Sequence, residues 1–275
     1  MTRMAAVQMV SGPRVPDNLD EAGRQIAAAA VAGAQLVVLP ENFALMPLND
    51  ADRLAAVEKD GSGPIQSFLS AQAKNHRIWI VGGTIPLVAK DSSKVRAACL
   101  VFDARGERVA RYDKMHLFDV QLDNGEKYQE SNSFEPGENI VVVETPYGKL
   151  GLAVCYDLRF PELFRRLLEA GAEIFAVPSA FTAHTGKAHW EVLLRARAIE
   201  NLVYVIAAAQ DGRHANGRET YGDSMVVSPW GEVLARLPHG AGHVMAECDR
   251  TRLQDMRKNL PSIQHRSLHI LARTG

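Results

Sequence analysis

Short apolar runs alternate along this chain with longer segments of helical periodicity, and this alternation limits the possible folds more than any other feature. Four of the predicted strands are uninterrupted in their apolar character, at 36–39, 78–81, 174–177 and 203–206. Uninterrupted runs of this length are typical of strands that are buried on both faces of a sheet. Further strands are predicted over 4–9 and 243–248, and helices over 18–32, 65–75, 161–170, 187–201 and 251–258.

The two halves of the chain share one order of elements. In each half, strands and helices alternate and are followed by a hairpin, with turns at 104–106 and 229–231. A chain of this kind buries its apolar faces in layers. We therefore predict an α/β fold in which two sheets pack face to face, with the helices outside.

Composition excludes several classes of protein. The chain has 275 residues and a formal net charge of −1, which implies no nucleic-acid partner and no anionic membrane surface. No apolar stretch reaches the ~18 residues of a membrane span. The first residues lack the long apolar segment of a secretory signal, and three cysteines cannot all pair with one another. We therefore expect a reduced, cytoplasmic setting.

Cys155 ends the apolar run 150–155, and Pro161 marks the start of the next helix. The cysteine therefore lies on a tight strand-to-helix turn, which in many enzymes presents the nucleophile together with the backbone N–H that follows it. Because free cysteine is also among the most frequently buried residues, the turn alone leaves a structural role equally open.

Two other polar residues follow predicted strands, where α/β proteins collect their ligand-binding groups. Glu41 comes directly after Pro40, and Lys114 follows the hairpin strand that ends near Arg111. A thiol needs a base or a neighbouring cation to become a nucleophile. We expect burial to raise the pKa of Glu41 towards neutrality, so that it acts as the base. Lys114 and the Tyr156 N–H would stabilise an oxyanion.

Each of these residues also has an ordinary interpretation as a solvated loop residue or a helix cap. A Cys–His pair using His116, His184 or His189 is a further alternative. The last two histidines are predicted to lie in a loop that contains Gly and Thr. No pattern for zinc, for a phosphate-binding loop or for a dinucleotide occurs, so we expect neither a metal nor an organic cofactor.

The segments around these three residues resemble the nitrilase superfamily of carbon–nitrogen hydrolases. Its signature is a Glu, a Lys and a Cys in this order, here in the settings 40–43, 114–119 and 151–162. The resemblance implies a four-layer α-β-β-α sandwich of two mixed sheets, in a single domain over 1–275. It also implies a homodimer or a higher homo-oligomer, with the C-terminal tail, about 259–275, in subunit contact.

The resemblance implies a second glutamate that orients Lys114. Glu130, followed by Ser131, matches that pattern, whereas Glu126 lies in a segment that is typical of a turn. Cys155 would attack an amide carbonyl, and water would cleave the resulting thioester with help from Glu41. Activity would then need no metal and no organic cofactor.

Within the superfamily, segments 178–182, 188–201 and 207–210 are most similar to the deaminated-glutathione amidases, which carry out metabolite repair and release 2-oxoglutarate and cysteinylglycine. Asp223 and Ser228 depart from that branch, which tends to have His and Asp there. The alternatives are an ω-amidase acting on 2-oxoglutaramate, a hydrolase of another small amide, N-carbamoyl compound or nitrile, and a non-catalytic binding scaffold.

We expect Phe181 and Thr182 to line the substrate pocket, because they follow the strand at 174–177. An anionic substrate requires a basic partner. Arg159 or Arg195 could take this role, and either could instead form a structural ion pair. We favour Arg195 at the substrate and an ion pair with the nearby Asp157 for Arg159.

Overall fold

The computed structural model describes residues 1–267 of the chain, which form two large β-sheets, two small hairpin sheets and the surrounding helices. The strands in chain order are β1 (Thr2–Gln8), β2 (Leu36–Val38), β3 (Trp79–Val81), β4 (Ile85–Val88), β5 (Val95–Phe102), β6 (Arg108–Asp113), β7 (Asp119–Gln121), β8 (Lys127–Gln129), β9 (Val142–Thr145), β10 (Gly148–Leu152), β11 (Ile174–Ser179), β12 (Tyr204–Ala209), β13 (Asp211–Arg213), β14 (Glu219–Tyr221), β15 (Ser224–Val227), β16 (Val233–Leu237) and β17 (Gly242–Cys248).

The α-helices in chain order are α1 (Val15–Val31), α2 (Asp50–Ala55), α3 (Pro64–His76), α4 (Pro161–Glu169), α5 (Ala183–Asn201) and α6 (Arg250–Asn259). Short 3-10 helices cover Glu130–Asn132, Cys155–Arg159 and Pro261–Ile263. Within residues 1–267, no helix combines the length and the apolar composition that crossing a membrane requires.

Both large sheets are mixed. The first has the strand order β17-β1-β2-β3-β5-β4, with β6 also paired to β5, and its β1, β2 and β3 are parallel. The second has the order β16-β15-β12-β11-β10-β9, and its β10, β11 and β12 are parallel. The parallel strands are joined through helices, as the predicted alternation requires.

Alternate residues of β1 show how the layers are stacked. Met4 belongs to an apolar cluster that includes Ile206 of the second sheet. Its neighbour Ala5 packs instead with Ile26 of α1 and Leu69 of α3. Since successive strand residues point to opposite faces, the first sheet has the second sheet on one face and helices on the other.

The outer face of the second sheet is covered by α4 and α5. The ring of Phe164 on α4 lies 5.1 Å from that of Phe175 on β11. Trp190 on α5 is fully buried, and its indole N–H donates to the carbonyl of Asp223 at 2.7 Å. The predicted four-layer α-β-β-α sandwich is therefore the observed fold.

The prediction for the start of α5 was wrong. The helix begins at Ala183, four residues before the predicted start at 187, so His184 lies on the same helix as His189 rather than in a loop. Gly186, which suggested a loop, sits where the helix approaches Tyr221 so closely that a Cβ atom would collide with its side chain. The glycine therefore serves helix packing.

The sequence did not predict the short helix α2, the strands β4 and β9, or the two hairpins β7–β8 and β13–β14. The hairpins are short and polar, so they lack the apolar periodicity from which the other strands were predicted. The predicted subunit-contact tail at 259–275 is described only to residue 267, and its remainder lies outside the described residues.

Candidate active site

Cys155 lies where the second sheet passes into a short helix. Strand β10 ends at Leu152, and Cys155 opens the following 3-10 helix with a φ of +48°. A positive φ is uncommon outside glycine and persists only where the surroundings enforce it. The N–H groups at the start of a helix have no partner within the helix, so the Tyr156 N–H is available beside the thiol.

The carboxylate of Asp157 is fully buried and stabilises this turn. It accepts hydrogen bonds from the Val154 N–H at 2.8 Å and from the Tyr112 hydroxyl at 2.7 Å. The backbone N–H of His116 donates at 3.1 Å, and its Nδ1 lies 2.7 Å from the same carboxylate. The His116 ring also stacks on Phe160 with centroids 3.7 Å apart. His116 therefore supports the turn rather than the thiol.

Glu41 and Lys114 follow strands β2 and β6 of the first sheet, and they meet Glu130, which follows β8 of a small hairpin sheet. Nζ of Lys114 lies 2.8 Å from Oε1 of Glu41 and 2.8 Å from Oε2 of Glu130. The Phe118 N–H also donates to Oε2 of Glu130 at 2.7 Å. Lys114 and Glu41 are each 2% exposed, so this ion pair is nearly sealed from water.

Two opposing effects act on the pKa values of the ion pair. Burial raises the pKa of Glu41, but the positive charges of Lys114 and Arg218 lower it by more than burial raises it. The pKa of Glu41 therefore lies below its ordinary value of 4.5. The prediction that burial brings this pKa towards neutrality was therefore wrong. Burial alone lowers the pKa of Lys114, but Glu130 and Glu41 raise it above its ordinary value. At neutral pH the pair is ionised.

The thiol of Cys155 contacts Glu41 and the backbone of Ala180. The negative charge of the Glu41 carboxylate acts on this thiol, and Oε2 of the same carboxylate accepts the Ala180 N–H at 2.8 Å. Burial and the negative charge of Glu41 raise the pKa of the thiol well above its ordinary value of 9.0. The resting cysteine is therefore a neutral thiol beside an ionised carboxylate, an arrangement suited to general-base activation.

A cavity of about 260 Å³ opens onto these groups. Residues from both halves of the chain line it, among them Asn42, Arg53, Lys114, Phe118, Tyr128, Glu130, Phe134, Cys155, Tyr156, Arg159, Ala180, Phe181, Thr182, Thr185 and Arg218. The structure thus brings the predicted Glu130, Tyr156, Phe181 and Thr182 to one site together with Cys155 and Lys114.

The structure reverses the roles that the sequence favoured for Arg195 and Arg159. Arg195, expected at the substrate, does not line the cavity, and it donates to the Gly231 carbonyl at 2.8 Å and pairs with Glu191. Arg159, expected in an ion pair with Asp157, lines the cavity instead, with its guanidinium carbon 5.0 Å from the centre of the Phe181 ring.

Arg218 was not singled out in the sequence. It lies at the end of the turn of the β13–β14 hairpin and lines the same cavity. Its Nη2 donates to the Ala180 carbonyl, and its guanidinium carbon lies 5.4 Å from the centre of the Tyr128 ring. No apolar pattern marks this hairpin, so no sequence signal was available to find the residue.

The two departures from the amidase pattern lie away from the cavity. Asp223 pairs with Arg236, whose Nη2 donates at 2.8 Å, and the Ser228 hydroxyl accepts from two backbone N–H groups of its own turn, at Trp230 and Glu232. Neither residue lines the cavity that holds Cys155.

The three alternative histidines do not line the cavity either. His184 pairs with Asp123, and Nδ1 of His189 lies 3.2 Å from Nη1 of Arg159. In the described part of the chain, no three His, Cys, Asp or Glu side chains form a group that could hold a metal ion.

Comparison with known proteins agrees with this geometry. The carbon–nitrogen hydrolase family model matches residues 3–258. The chain is 43% identical over 264 residues to the deaminated glutathione amidase of Yersinia enterocolitica, covering 95% of this chain and 92% of that protein.

Two solved structures are also similar. Saccharomyces cerevisiae Nit3, a member of branch 10 of the nitrilase superfamily, gives a TM-score of 0.85 at 32% identity, covering 94% of each chain. A mutant amidase of Nesterenkonia sp. AN1, with acrylamide added at its active-site cysteine, gives 0.79 at 28% identity, covering 96% of this chain and 100% of that one. The predicted nitrilase resemblance and the predicted amidohydrolase class are confirmed. The chain belongs to the carbon–nitrogen hydrolase family.

Proposed function

We propose that this enzyme hydrolyses the amide bond of deaminated glutathione, releasing 2-oxoglutarate and cysteinylglycine. One observation carries the proposal: the cavity that Lys114 and Cys155 line is also lined by Arg159 and Arg218, and neither arginine has a carboxylate partner within residues 1–267. The substrate has one carboxylate on each side of its scissile bond, so two unpaired guanidinium groups match its charge. Similarity to the Yersinia amidase supports the same substrate.

The first half of the reaction forms a thioester. Glu41 accepts the thiol proton as the sulfur of Cys155 attacks the amide carbonyl, which gives a tetrahedral oxyanion. Glu41 returns that proton to the nitrogen as the carbon–nitrogen bond breaks, so cysteinylglycine leaves as a neutral amine. In the second half, Glu41 takes a proton from water, the resulting hydroxide attacks the thioester, and the thiol of Cys155 is restored.

Lys114 has the donors that this oxyanion requires. An ammonium group has three N–H bonds; here one points at Oε1 of Glu41 and one is shared by the two oxygens of Glu130. The third N–H is left for the oxyanion, together with the backbone N–H of Tyr156. Glu130 acts through Lys114 as a positioning residue.

Phe181 and Thr182 form part of the wall against which the substrate packs, as their places in the cavity suggest. The Thr182 hydroxyl lies 2.7 Å from that of Thr185, so one of the two can donate to a substrate oxygen. Arg159 replaces Arg195 as the expected partner of a substrate carboxylate, since it faces the cavity.

We further propose that the chain is one domain over 1–275 that works in the cytoplasm as a homodimer or a higher homo-oligomer. Three free, buried cysteines fit a reducing compartment. The side chains of Val192 and Ile199 on α5 and of Trp230 nearby are apolar and exposed, which is typical of a subunit contact. Sedimentation of a Val192→Glu variant should show monomers, with Lys187→Glu as the matched control. A monomeric wild type would contradict this proposal.

The proposed activity is tested with a substrate panel of deaminated glutathione, 2-oxoglutaramate, an N-carbamoyl amino acid and an aliphatic nitrile. We expect the highest kcat/KM for deaminated glutathione, and acid quenching should trap an acyl group on Cys155 that mass spectrometry identifies. If 2-oxoglutaramate is turned over as fast, the enzyme is an ω-amidase instead. An active Cys155→Ala variant would disprove the mechanism.

The non-catalytic scaffold is the rival of another class. A scaffold has no need of an intact catalytic set, whereas Glu41, Lys114 and Cys155 are all present and in contact. Iodoacetamide should label Cys155 stoichiometrically and abolish turnover, while the buried Cys99 stays unlabelled. Failure of every amide in the panel, with Cys155 intact, would favour the scaffold.

A further inference from the structure

One buried polar atom at the active-site cavity has no partner. Nε of Arg218 is the only buried side-chain nitrogen or oxygen in residues 1–267 without a hydrogen-bond partner. Leaving a charged donor buried and unpaired is unfavourable, so native proteins rarely do so without a reason. Arg218 also lines the cavity, so the rest of its guanidinium group is placed where a ligand can contact it.

Ala180 connects this guanidinium to the reacting groups. Its N–H donates to Oε2 of Glu41 at 2.8 Å, and its carbonyl accepts from Nη2 of Arg218. The charge of Arg218 acts on both Glu41 and Cys155. The backbone of Ala180 therefore connects the guanidinium group of Arg218 to the catalytic carboxylate of Glu41.

Buried hydrogen bonds hold the hairpin that carries Arg218. Nδ1 of His214 lies 2.9 Å from the Ser11 carbonyl, so this nitrogen bears the proton, and Nε2 accepts from the Thr220 hydroxyl at 2.8 Å. The side chain of Gln210 links Ser11 to the backbone carbonyl of Glu41. The position of Arg218 is thus tied to that of the catalytic base.

We propose that Arg218 is a specificity-determining residue whose guanidinium group, which has no carboxylate partner among residues 1–267, binds a carboxylate of the substrate. The proposal rests on the proposed function, which supplies an anionic substrate. In a 2-oxoglutaryl group, four carbon–carbon bonds of about 1.5 Å place the carboxylate roughly 5 Å from the carbon under attack. The leaving cysteinylglycine presents its own carboxylate on the other side of the bond, so the test distinguishes the two sources.

The alternative role for Arg218 is purely structural, because it also holds the Ala180 carbonyl. A structural role would weaken the site for every ligand equally. A carboxylate-binding role weakens it for anions alone. The ratio between anionic and neutral ligands, measured within one variant, therefore separates the two roles even where a substitution lowers overall stability.

The experiment measures protection of Cys155 from iodoacetamide by three ligands, read by mass spectrometry: 2-oxoglutarate for the acyl part, alanylglycine as a thiol-free stand-in for the leaving group, and neutral pentanamide. Variants are Arg218→Gln and Arg218→Lys, with Arg213→Gln as the matched control, since Arg213 is exposed in the same hairpin. In Arg218→Gln, one of the two carboxylate ligands, 2-oxoglutarate or alanylglycine, should lose affinity. The concentration of that ligand that half-protects Cys155 should rise about 10- to 100-fold, in line with loss of a charged hydrogen bond. Arg218→Lys should lie between Arg218→Gln and the wild type.

The change for pentanamide should stay below about 3-fold, and Arg213→Gln should match the wild type. Equal changes for charged and neutral ligands, no change at all, or a wild type that neither carboxylate protects would each overturn the proposal. Absence of deaminated glutathione hydrolysis by the wild type would instead refute the proposed function, and the protection assay does not depend on turnover.

Discussion

Nζ of Lys114 lies 2.8 Å from Oε2 of Glu130. The ammonium group that we propose as the oxyanion donor is therefore oriented by a carboxylate that is not one of the three residues Glu41, Lys114 and Cys155. The same oxygen accepts the Phe118 N–H, which fixes the carboxylate in turn. Glu130 therefore affects the reaction through the direction of one ammonium group.

Replacing Glu130 by Gln should lower kcat about 10- to 100-fold and leave KM nearly unchanged. This is less than the ~10²- to 10³-fold loss typical when an oxyanion donor itself is removed, because Lys114 remains in place but is less well oriented. Steady-state kinetics with the best amide of the panel measures the effect. Glu126→Gln, in the neighbouring turn, is the matched control and should retain full activity. Equal losses in both variants would contradict the role of Glu130.

The pH profile distinguishes a carboxylate base from a histidine base. Because the pKa of Glu41 lies below 4.5, the base stays ionised at neutral pH and is lost only as the pH falls through that lowered value. We expect kcat/KM for a neutral amide to be flat through pH ~6.5, where a histidine would titrate, and to drop only below pH 4.5. Circular dichroism at each pH checks that the fold persists. An inflection near pH ~6.5 would refute this assignment.

Asp157→Asn should destabilise the nucleophile turn. Asp157 accepts hydrogen bonds from Val154, Tyr112 and His116, and an amide in its place directs N–H bonds at groups that are themselves donors. We expect urea unfolding to show a loss of about 2–3 kcal/mol, together with slower alkylation of Cys155. The exposed Asp91→Asn should change the free energy of unfolding by less than about 0.5 kcal/mol. An unchanged unfolding midpoint in Asp157→Asn would contradict this interpretation.

Gly186→Ala tests the contact between α5 and the β13–β14 hairpin. A Cβ atom at Gly186 would collide with the side chain of Tyr221. Although alanine favours a helix by up to about 1 kcal/mol, the variant should be less stable, and its KM should rise as the hairpin shifts. Gly23→Ala is the matched control, since its Cβ would lie 3.6 Å from the nearest Phe68 atom. Equal stability of the two variants would show that the contact can adjust.

The layers of the fold and the catalytic strand ends could be predicted because buried parallel strands require uninterrupted apolar runs. The runs at 36–39 and 150–155 end where Glu41 and Cys155 are found. The start of α5 was predicted wrongly because of Gly186. In a sequence, a glycine that is required for close helix packing looks the same as a glycine in a loop.

The substrate pocket was harder to predict, because it depends on contacts between distant parts of the chain. Arg218 contacts Ala180 and Tyr128, which are 38 and 90 positions away from it. Arg195 lies on the predicted helix, but the direction of its side chain is set by the turn at Gly231. Composition and periodicity report burial, and neither reports which of several arginines faces a cavity.

Strand β1 pairs along its whole length with β17, from Thr2 with Cys248 to Gln8 with Gly242. One strand of the first sheet therefore comes from a segment that is distant in sequence from β1. During synthesis, one edge of β1 stays open until residue 248 has left the ribosome, long after the helices of the first half can form. Completion of the sheet therefore waits for a segment that lies more than 230 positions downstream of β1. A chain that terminates early therefore exposes a strand edge, which is a target for chaperones and a site for aggregation.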